Sequence, residues 1–199
     1  MKKLAFWTLL LIASSCTVVD DSGDFDDRVE ATEDDGEKEG DSDHLEGCDE
    51  KSILRITMPE GQTEPTIEKG VYGKVLEWKG DFMPGPEPPT GTVTPLETEL
   101  FIFKKLTFDA AKSARAEEFS MFWNIEDLEP CPIAVISTNE EGFFELELEP
   151  GTYSGMIKAN DTQLYINLFG GDEGILGPIY LEEGKLHEQN FDLDFEKSI

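Results

Sequence analysis

The sequence predicts an all-β sandwich with one short helical insertion. Apolar and acidic residues alternate through the segment FFELELE at 143–149, so one face of that strand is buried and the other is solvated. Similar short segments, separated by turns that contain Gly or Pro, recur through residues 70–196, and helix-forming segments are scarce. Strands at this spacing favour two packed antiparallel sheets.

Residues 133–157 are the segment in which this pattern is clearest, and they predict three consecutive antiparallel strands joined by two turns. Asn139 favours the first position of a type I turn, and Gly142 supplies the positive φ that closes it. Pro150 fixes φ at the second position of a type II turn, and Gly151 tolerates the left-handed third position. We expect a meander here, with these four residues as its structural turn positions.

Residues 70–78 predict the first firm strand, and a loop dense in Pro and Gly follows at 79–95. The next strand, at 96–108, is apolar on both faces and is therefore expected to be central and covered. Asp109 predicts the N-cap of a helix over 110–119. Residues 51–69 contain a short apolar run ended by Pro and Gly, a pattern that fits a strand or a linker.

The charge of the chain excludes one class of partner. Its 199 residues carry 16 basic and 44 acidic side chains, so the formal net charge is 16 − 44 = −28. A phosphate backbone would be repelled by this surface rather than bound. We therefore expect no nucleic-acid partner.

Residues 1–15 have the pattern of an export signal, with Lys2 and Lys3 before an apolar run that is too short to span a membrane. The sequence Ala13-Ser14-Ser15-Cys16 resembles a bacterial lipobox. That resemblance implies cleavage before Cys16 and lipidation of its thiol and amino group. Because Leu or Val is usual where Ala13 stands, cleavage by the general signal peptidase is the alternative.

Residues 16–50 predict a lipid anchor followed by an acidic, disordered tether. The segment 17–50 holds 16 acidic residues against two basic ones and almost nothing apolar. Such a composition cannot bury enough surface to offset the entropy of ordering. The pair Asp20-Asp21 resembles the surface-export signals of Bacteroidetes lipoproteins. This resemblance implies anchoring in the outer membrane with exposure at the cell surface.

Three cysteines leave an odd one in an exported protein, and lipidation of Cys16 would remove it. Cys48 and Cys131 then form a natural pair, which is usually oxidised outside the cytoplasm. The alternative is two unpaired thiols, with Cys131 as a small buried hydrophobe. We expect the disulfide.

Four segments carry a resemblance to a known family: 70–75, 99–104, 137–144 (STNEEGFF) and 148–153 (LEPGTY). Together they resemble the carboxypeptidase regulatory-like domain, a transthyretin-like (prealbumin-like) antiparallel β-sandwich of about seven strands. The resemblance covers residues 70–196, and it implies a carboxypeptidase regulatory-like domain over residues 70–199 of a Bacteroidetes-type lipoprotein. It implies a non-catalytic module, because that domain has no active site. The long loop after the first strand and the helical insertion depart from the family pattern.

The chain offers little for the common catalytic sites. Only His44 and His187 are present, which leaves little from which to build a histidine triad or a zinc site. A carboxylate pair for glycoside hydrolysis, such as Glu145 and Glu147, is the remote alternative. Alternating glutamates in a strand are more often a solvated face. We therefore expect a protein that is not an enzyme and that needs no cofactor.

A binding or assembly role remains. We expect a cell-envelope lipoprotein that displays its sandwich to an envelope protein, for instance by β-augmentation of an edge strand. The alternative is an adhesin module that binds surface glycans or calcium. The candidate ligand-contact aromatics are Trp78, Phe82, Tyr165, Phe169 and Tyr180, and the candidate calcium ligands are Asp81, Asp172 and Glu173.

Overall fold

A computed structural model describes residues 47–86 and 88–198 of the chain. The predicted leader, the lipidated Cys16 and the tether up to residue 46 lie outside the described residues. In the part that is described, no helix is both long and apolar enough to cross a membrane.

The described residues form 14 strands and one short helix. The strands are β1 Leu54–Thr57, β2 Gly70–Asp81, β3 Thr92–Pro95, β4 Glu99–Lys104, β5 Phe122–Asn124, β6 Ala134–Ser137, β7 Phe143–Leu146, β8 Gly151–Asn160, β9 Gln163–Tyr165, β10 Phe169–Gly170, β11 Ile175–Leu176, β12 Pro178–Leu181, β13 Leu186–Glu188 and β14 Phe191–Ser198. The helix α1 spans Phe108–Ala111 and continues as a 3₁₀ turn over Lys112–Ala114, and another 3₁₀ turn spans Glu50–Ser52.

Two sheets pack face to face, which confirms the predicted all-β sandwich with its short helical insertion. The larger sheet has seven strands in the order β1-β6-β4-β8-β9-β5, with β12 beside the first half of β8. The smaller sheet is built around β2, which pairs with β13 and β14 on one side and with β7 and β3 on the other. Both sheets are mixed, because β1 lies parallel to β6, and β13 and β14 lie parallel to β2.

Strand β4 is central and covered on both faces, as predicted. Leu100 and Ile102 belong to the core between the two sheets. Phe101 and Phe103 belong to a second core on the opposite face of the larger sheet, where the residues of the insertion pack. Because successive side chains of a strand point to opposite faces, one apolar strand serves both cores.

The predicted meander over residues 133–157 is wrong. β6 and β8 lie in the larger sheet, whereas β7 lies in the smaller sheet and pairs with β2. The chain therefore changes sheets at each turn, and none of the three strands pairs with another. Alternation identifies a strand but carries no information about its partner.

The two turns differ in how far they follow the prediction. Gly142 has φ 68°, and its N–H bonds the carbonyl of Asn139 at 2.8 Å, so the first turn is closed as expected. Gly151 has φ 158°, close to extended and far from the roughly 80° of a type II turn. It is the first residue of β8, directly after Pro150, so the type II turn is wrong.

The helix is shorter than predicted and begins earlier. Thr107, not Asp109, is its N-cap, and the Thr107 hydroxyl accepts a bond from the N–H of Ala110 at 3.4 Å. The chain leaves helical geometry by Arg115 because Arg115 forms a β-bridge with Trp123. Phe119, the predicted last helical residue, has φ 67° and is 82% exposed.

The sandwich begins before residue 70. Residues 54–57 form β1, the edge strand beside β6, so the segment left open between strand and linker contains a strand. Cys48 and Cys131 form the predicted disulfide, with an S–S distance of 2.13 Å. It joins the residues that precede β1 to those that precede β6.

Candidate binding surface

The five predicted ligand-contact aromatics fall in three separate places. Trp78 and Phe82 form a pair on the smaller sheet, with ring centroids 5.1 Å apart. The indole N–H of Trp78 donates to the carboxylate of Asp192 at 3.0 Å, and the ring of Phe82 packs on Gly91. This pair is engaged within the protein itself.

Tyr165 is a core residue rather than a ligand contact. It is 4% exposed and lies in the core between the sheets. Its hydroxyl donates to Oδ1 of Asp194 at 2.6 Å, which links β9 of the larger sheet to β14 of the smaller. Burial and the neighbouring carboxylate raise the pKa of Tyr165 well above its usual range. The expectation for Tyr165 is corrected, since an alternating strand places aromatic residues equally well inside or outside.

Leu168 and Phe169, at the start of the hairpin formed by β10 and β11, and Tyr180 of β12 are large exposed side chains, and we call these three residues the hairpin patch. Leu168 and Tyr180 are each 49% exposed, and Phe169 is 41% exposed. Gly170 lies directly against Tyr180, because a Cβ atom at position 170 would be 2.6 Å from the tyrosine hydroxyl. Because Gly170 has no side chain, the Tyr180 hydroxyl can lie close to the backbone of β10.

The hairpin of β10 and β11 holds this patch on the outer face of the larger sheet. Leu176 is fully buried in the second core, and its N–H bonds the carbonyl of Leu106 at 2.9 Å. Ile175 forms a β-bridge with Thr107 at the start of the helical insertion. Phe169, opposite Leu176 in the hairpin, is thus presented on a supported element.

Phe169 contacts a cluster of Arg115, Phe108 and Trp123 that no sequence motif indicated. The guanidinium carbon of Arg115 is 5.0 Å from the ring centre of Phe108 and 5.9 Å from that of Trp123. Phe169 meets both rings edge-on, at 6.3 Å from Phe108 and 6.4 Å from Trp123. The Nε–H of Arg115 donates to the carbonyl of Ser120 at 2.6 Å and fixes the following loop.

A local reversal of charge was the available sequence signal for this cluster. The segment 104–115 carries four cations, Lys104, Lys105, Lys112 and Arg115, against the single acid Asp109. This contrasts with the strongly acidic chain as a whole. Lys105 forms an ion pair with Glu173 of the hairpin turn.

The predicted calcium ligands are not assembled. Asp81 ends β2 in the smaller sheet, and its Oδ1 accepts the N–H of Met83 at 2.8 Å. Asp172 and Glu173 lie in the turn between β10 and β11, where Glu173 is paired with Lys105. Among residues 47–86 and 88–198, no three His, Cys, Asp or Glu side chains are grouped to hold a metal ion.

Glu145 and Glu147 differ in environment. Glu147 is 62% exposed in its side chain and pairs with Lys69 at 3.4 Å, in keeping with a solvated face. Glu145 is half-buried and accepts hydrogen bonds from Thr66 and Gln62. Burial acts to raise the pKa of Glu145, but these bonds outweigh it and hold the pKa below its ordinary value. A carboxylate held ionised in this way is suited to anchoring the loop rather than to donating a proton.

Comparison of the chain with protein-family models, with curated proteins and with solved structures gives no significant match.

Proposed function

We propose that this protein is a non-catalytic cell-envelope lipoprotein that displays its β-sandwich as a binding or assembly module on an acidic tether. The observation that carries the proposal is the hairpin patch. Leu168 and Phe169 are exposed at the start of a hairpin whose Leu176 is buried in the second core, and Tyr180 is exposed on β12, where it lies against Gly170 of the hairpin. Such a grouping on an otherwise acidic surface is typical of an interaction site.

The patch is suited to recognition because its position is set before a partner arrives. Ile175 of the hairpin forms a β-bridge with Thr107 at the start of the helical insertion. The N–H of Leu176 donates to the carbonyl of Leu106, two residues after the end of β4. A contact surface that is already ordered loses little entropy on binding. The partner in this proposal is an envelope protein with a complementary apolar surface.

Display at the cell surface is supported by the sequence of the first 50 residues. The leader, the lipobox-like Cys16 and the acidic tether together favour a module anchored in the outer membrane and held away from it. The resemblance to the carboxypeptidase regulatory-like domain favours the same non-catalytic role.

A surface glycan is the second candidate ligand, and the hairpin patch favours it as well. Phe169 and Tyr180 have exposed aromatic rings, and such rings stack on the apolar faces of sugars.

A separate route to assembly exists at β1, an edge strand of the larger sheet, where Leu54 is 53% exposed. β-Augmentation of this edge would require no aromatic residue.

Crosslinking on intact cells, followed by purification of the protein, tests the proposal. We expect a specific partner with the wild type and its loss when Phe169 and Tyr180 are both replaced by Ser. Met83→Ser is the matched control, because Met83 is 49% exposed in the loop that follows β2 of the smaller sheet. Equal recovery of the partner with both variants would exclude the hairpin patch as the contact surface.

Anchoring is tested in the same cells by Cys16→Ser. We expect this variant to move from the membrane fraction to the soluble fraction. Retention of the variant in the membrane would contradict the lipid anchor. Labelling with a membrane-impermeant reagent reports whether the wild type is exposed at the cell surface.

A further inference from the structure

Among residues 47–86 and 88–198, Phe119 is the one residue other than glycine that has a positive φ, at 67°. It is the third residue of the turn at 117–120, which the N–H of Ser120 closes on the carbonyl of Glu117 at 3.1 Å. A positive φ at the third position of a turn favours Gly or Asn, because a larger side chain is crowded there. Phenylalanine is therefore an outlier at this place.

The phenyl ring of Phe119 contributes little to the fold. It is 82% exposed, the largest exposed fraction among the large hydrophobic side chains that the structure describes. Phe122, three residues further on, instead packs against the rings of Tyr165 and Phe195. Burial of the Phe119 ring thus does not offset the backbone strain. Strained residues of this kind cluster at binding surfaces, where the strained conformation serves recognition.

The turn that carries Phe119 is held from both sides, so the position of the ring is set in the free protein. Arg115 and Trp123 form an antiparallel bridge, and the N–H of Ala116 donates to the carbonyl of Phe122 at 3.0 Å. Inside this hairpin, the Nε–H of Arg115 donates to the carbonyl of Ser120 at 2.6 Å. An exposed ring on an ordered turn loses little entropy on binding.

The two residues before Phe119 are exposed glutamates. In the part of the chain that the structure describes, neither Glu117 nor Glu118 forms an ion pair. Lys112 and Arg115, the nearest cations along the chain, are not paired with them, and the guanidinium carbon of Arg115 lies 5.0 Å from the ring centre of Phe108.

This charge pattern indicates the kind of partner. A surface that covers the phenyl ring meets both carboxylates at the rim of the contact, where basic side chains complement them. A second copy of the chain is unsuited, because each copy carries a formal net charge of −28 and the two would repel each other.

We propose that the turn at 117–120 is a recognition element for a partner protein, in which Phe119 enters an apolar pocket and Glu117 and Glu118 contact Lys or Arg side chains around that pocket. A few buried anchor residues, often aromatic, carry most of the binding energy of a protein interface. The inference goes beyond the proposed function, since this turn shares no residue with the hairpin patch.

Two substitutions at position 119 separate recognition from a structural role. Phe119→Gly removes the ring and relieves the strain, whereas Phe119→Ala removes the ring and keeps the strain. We expect the urea midpoint to rise for Phe119→Gly, because the relief of strain outweighs the added freedom of the unfolded chain, and to stay close to that of the wild type for Phe119→Ala. A fall in the midpoint for both variants would show that the ring stabilises the fold and would overturn the proposal.

Photocrosslinking on intact cells, with p-benzoylphenylalanine in place of Phe119, identifies the partner. The same group in place of Met83 is the matched control, because Met83 is also exposed, in the loop after β2. We expect an adduct with one protein from position 119 only, at an apolar residue that lies between Lys or Arg side chains. An adduct with lipid or with a second copy, or equal adducts from the two positions, would overturn the proposal.

Titration of the purified partner with the purified full chain measures affinity, which an adduct does not report. We expect Phe119→Gly and Phe119→Ala each to weaken binding at least tenfold. Replacement of both Glu117 and Glu118 by Gln should weaken binding and reduce its dependence on salt concentration. Unchanged affinity in the folded Phe119→Gly variant would contradict the assignment.

The results at this turn and at the hairpin patch can be told apart. If the Phe119 variants lose the partner while the variant with Ser at both Phe169 and Tyr180 retains it, the inference stands and the hairpin patch is not the contact surface. If the dependence is reversed, the proposed function stands and the assignment of Phe119 is wrong.

Discussion

Thr66 donates both its backbone N–H and its hydroxyl to the carboxylate of Glu145, at 2.7 and 2.6 Å. Gln62 adds a bond to the same carboxylate at 3.0 Å, and the side-chain amide of Asn139 bonds the carbonyls of Pro59 and Gln62. Residues 59–69 are thereby held beside β7. A glutamate on a strand face that was expected to be solvated is the anchor of this loop.

Glu145→Ala should destabilise the protein by about 2 kcal/mol, because donors of Thr66 and Gln62 lose their common acceptor. Glu147→Ala is the matched control, since its ion pair with Lys69 is exposed and contributes at most about 0.5 kcal/mol. Urea unfolding at pH 7 measures both. Equal losses from the two variants would contradict an anchoring role for Glu145.

The stability that Glu145 contributes should depend on pH. Because its pKa is lowered in the folded state, the contribution is present above the unfolded pKa of 4.5 and is lost as the pH falls through the folded pKa. Glu145→Gln removes this titration, so its stability should fall less steeply than that of the wild type below pH 4.5. Parallel stability curves over that window would show that Glu145 is not responsible.

Replacement of Cys48 and Cys131 by Ser should lower the free energy of unfolding by about 4 kcal/mol, because the disulfide closes a long loop in the unfolded chain. Thermal unfolding with and without a thiol reductant measures the effect in the wild type. The double variant is the control and should not respond to the reductant. An equal response of the two proteins would mean that the bond does not stabilise the fold.

Tyr165→Phe should destabilise the protein by about 1–3 kcal/mol, since it removes the link to Asp194 and leaves that carboxylate without its donor. Tyr153→Phe is the control, because its hydroxyl bonds an exposed carbonyl of Glu149 and should contribute less.

Alkaline pH provides a second test of Tyr165. Its pKa is raised in the folded state, so the stabilisation is complete below the unfolded pKa of 10.0 and declines as the pH rises above that value. The Phe variant should lack this decline. An identical alkaline decline in both proteins would assign it to other groups.

Gly177→Ala should be far more damaging than Gly184→Ala. Both glycines have positive φ, 45° and 67°, so both substitutions introduce backbone strain of roughly 1–2 kcal/mol. A Cβ atom at position 177 would also lie 1.9 Å from the carbonyl oxygen of Gly155, whereas position 184 is open. We expect a loss of at least about 3 kcal/mol for Gly177→Ala. Similar urea midpoints for the two variants would contradict this difference.

The existence and type of most strands were predictable from local pattern. The alternation through Phe144 and Leu146 predicted β7, and the two apolar faces of β4 predicted its central position. The length of α1 was not predictable in this way. Helix-forming residues after Ala111 were overridden by the bridge between Arg115 and Trp123, which draws the chain into extended geometry.

The candidate site was predictable only in part. Phe169 and Tyr180 were recognised as aromatic residues near loops, and both are exposed, with Tyr180 lying against Gly170, the residue after Phe169. Tyr165 carried the same local signal but lies in the core. Arg115 carried no motif, because its importance depends on a tryptophan that the fold brings beside it.

By itself, the sequence determined the all-β class and the positions of most strands, because alternation is a property of the chain alone. It favoured the pairing of Cys48 with Cys131 but left two unpaired thiols open, and the tertiary structure decided for the disulfide. Only the tertiary structure decided which strands pair, that β7 leaves its neighbours for the smaller sheet, and that Arg115 lies beside Trp123. These arrangements depend on which apolar faces and backbone hydrogen-bonding groups meet across long separations in the chain. A pattern with a period of two residues specifies a buried face but not the surface that covers it.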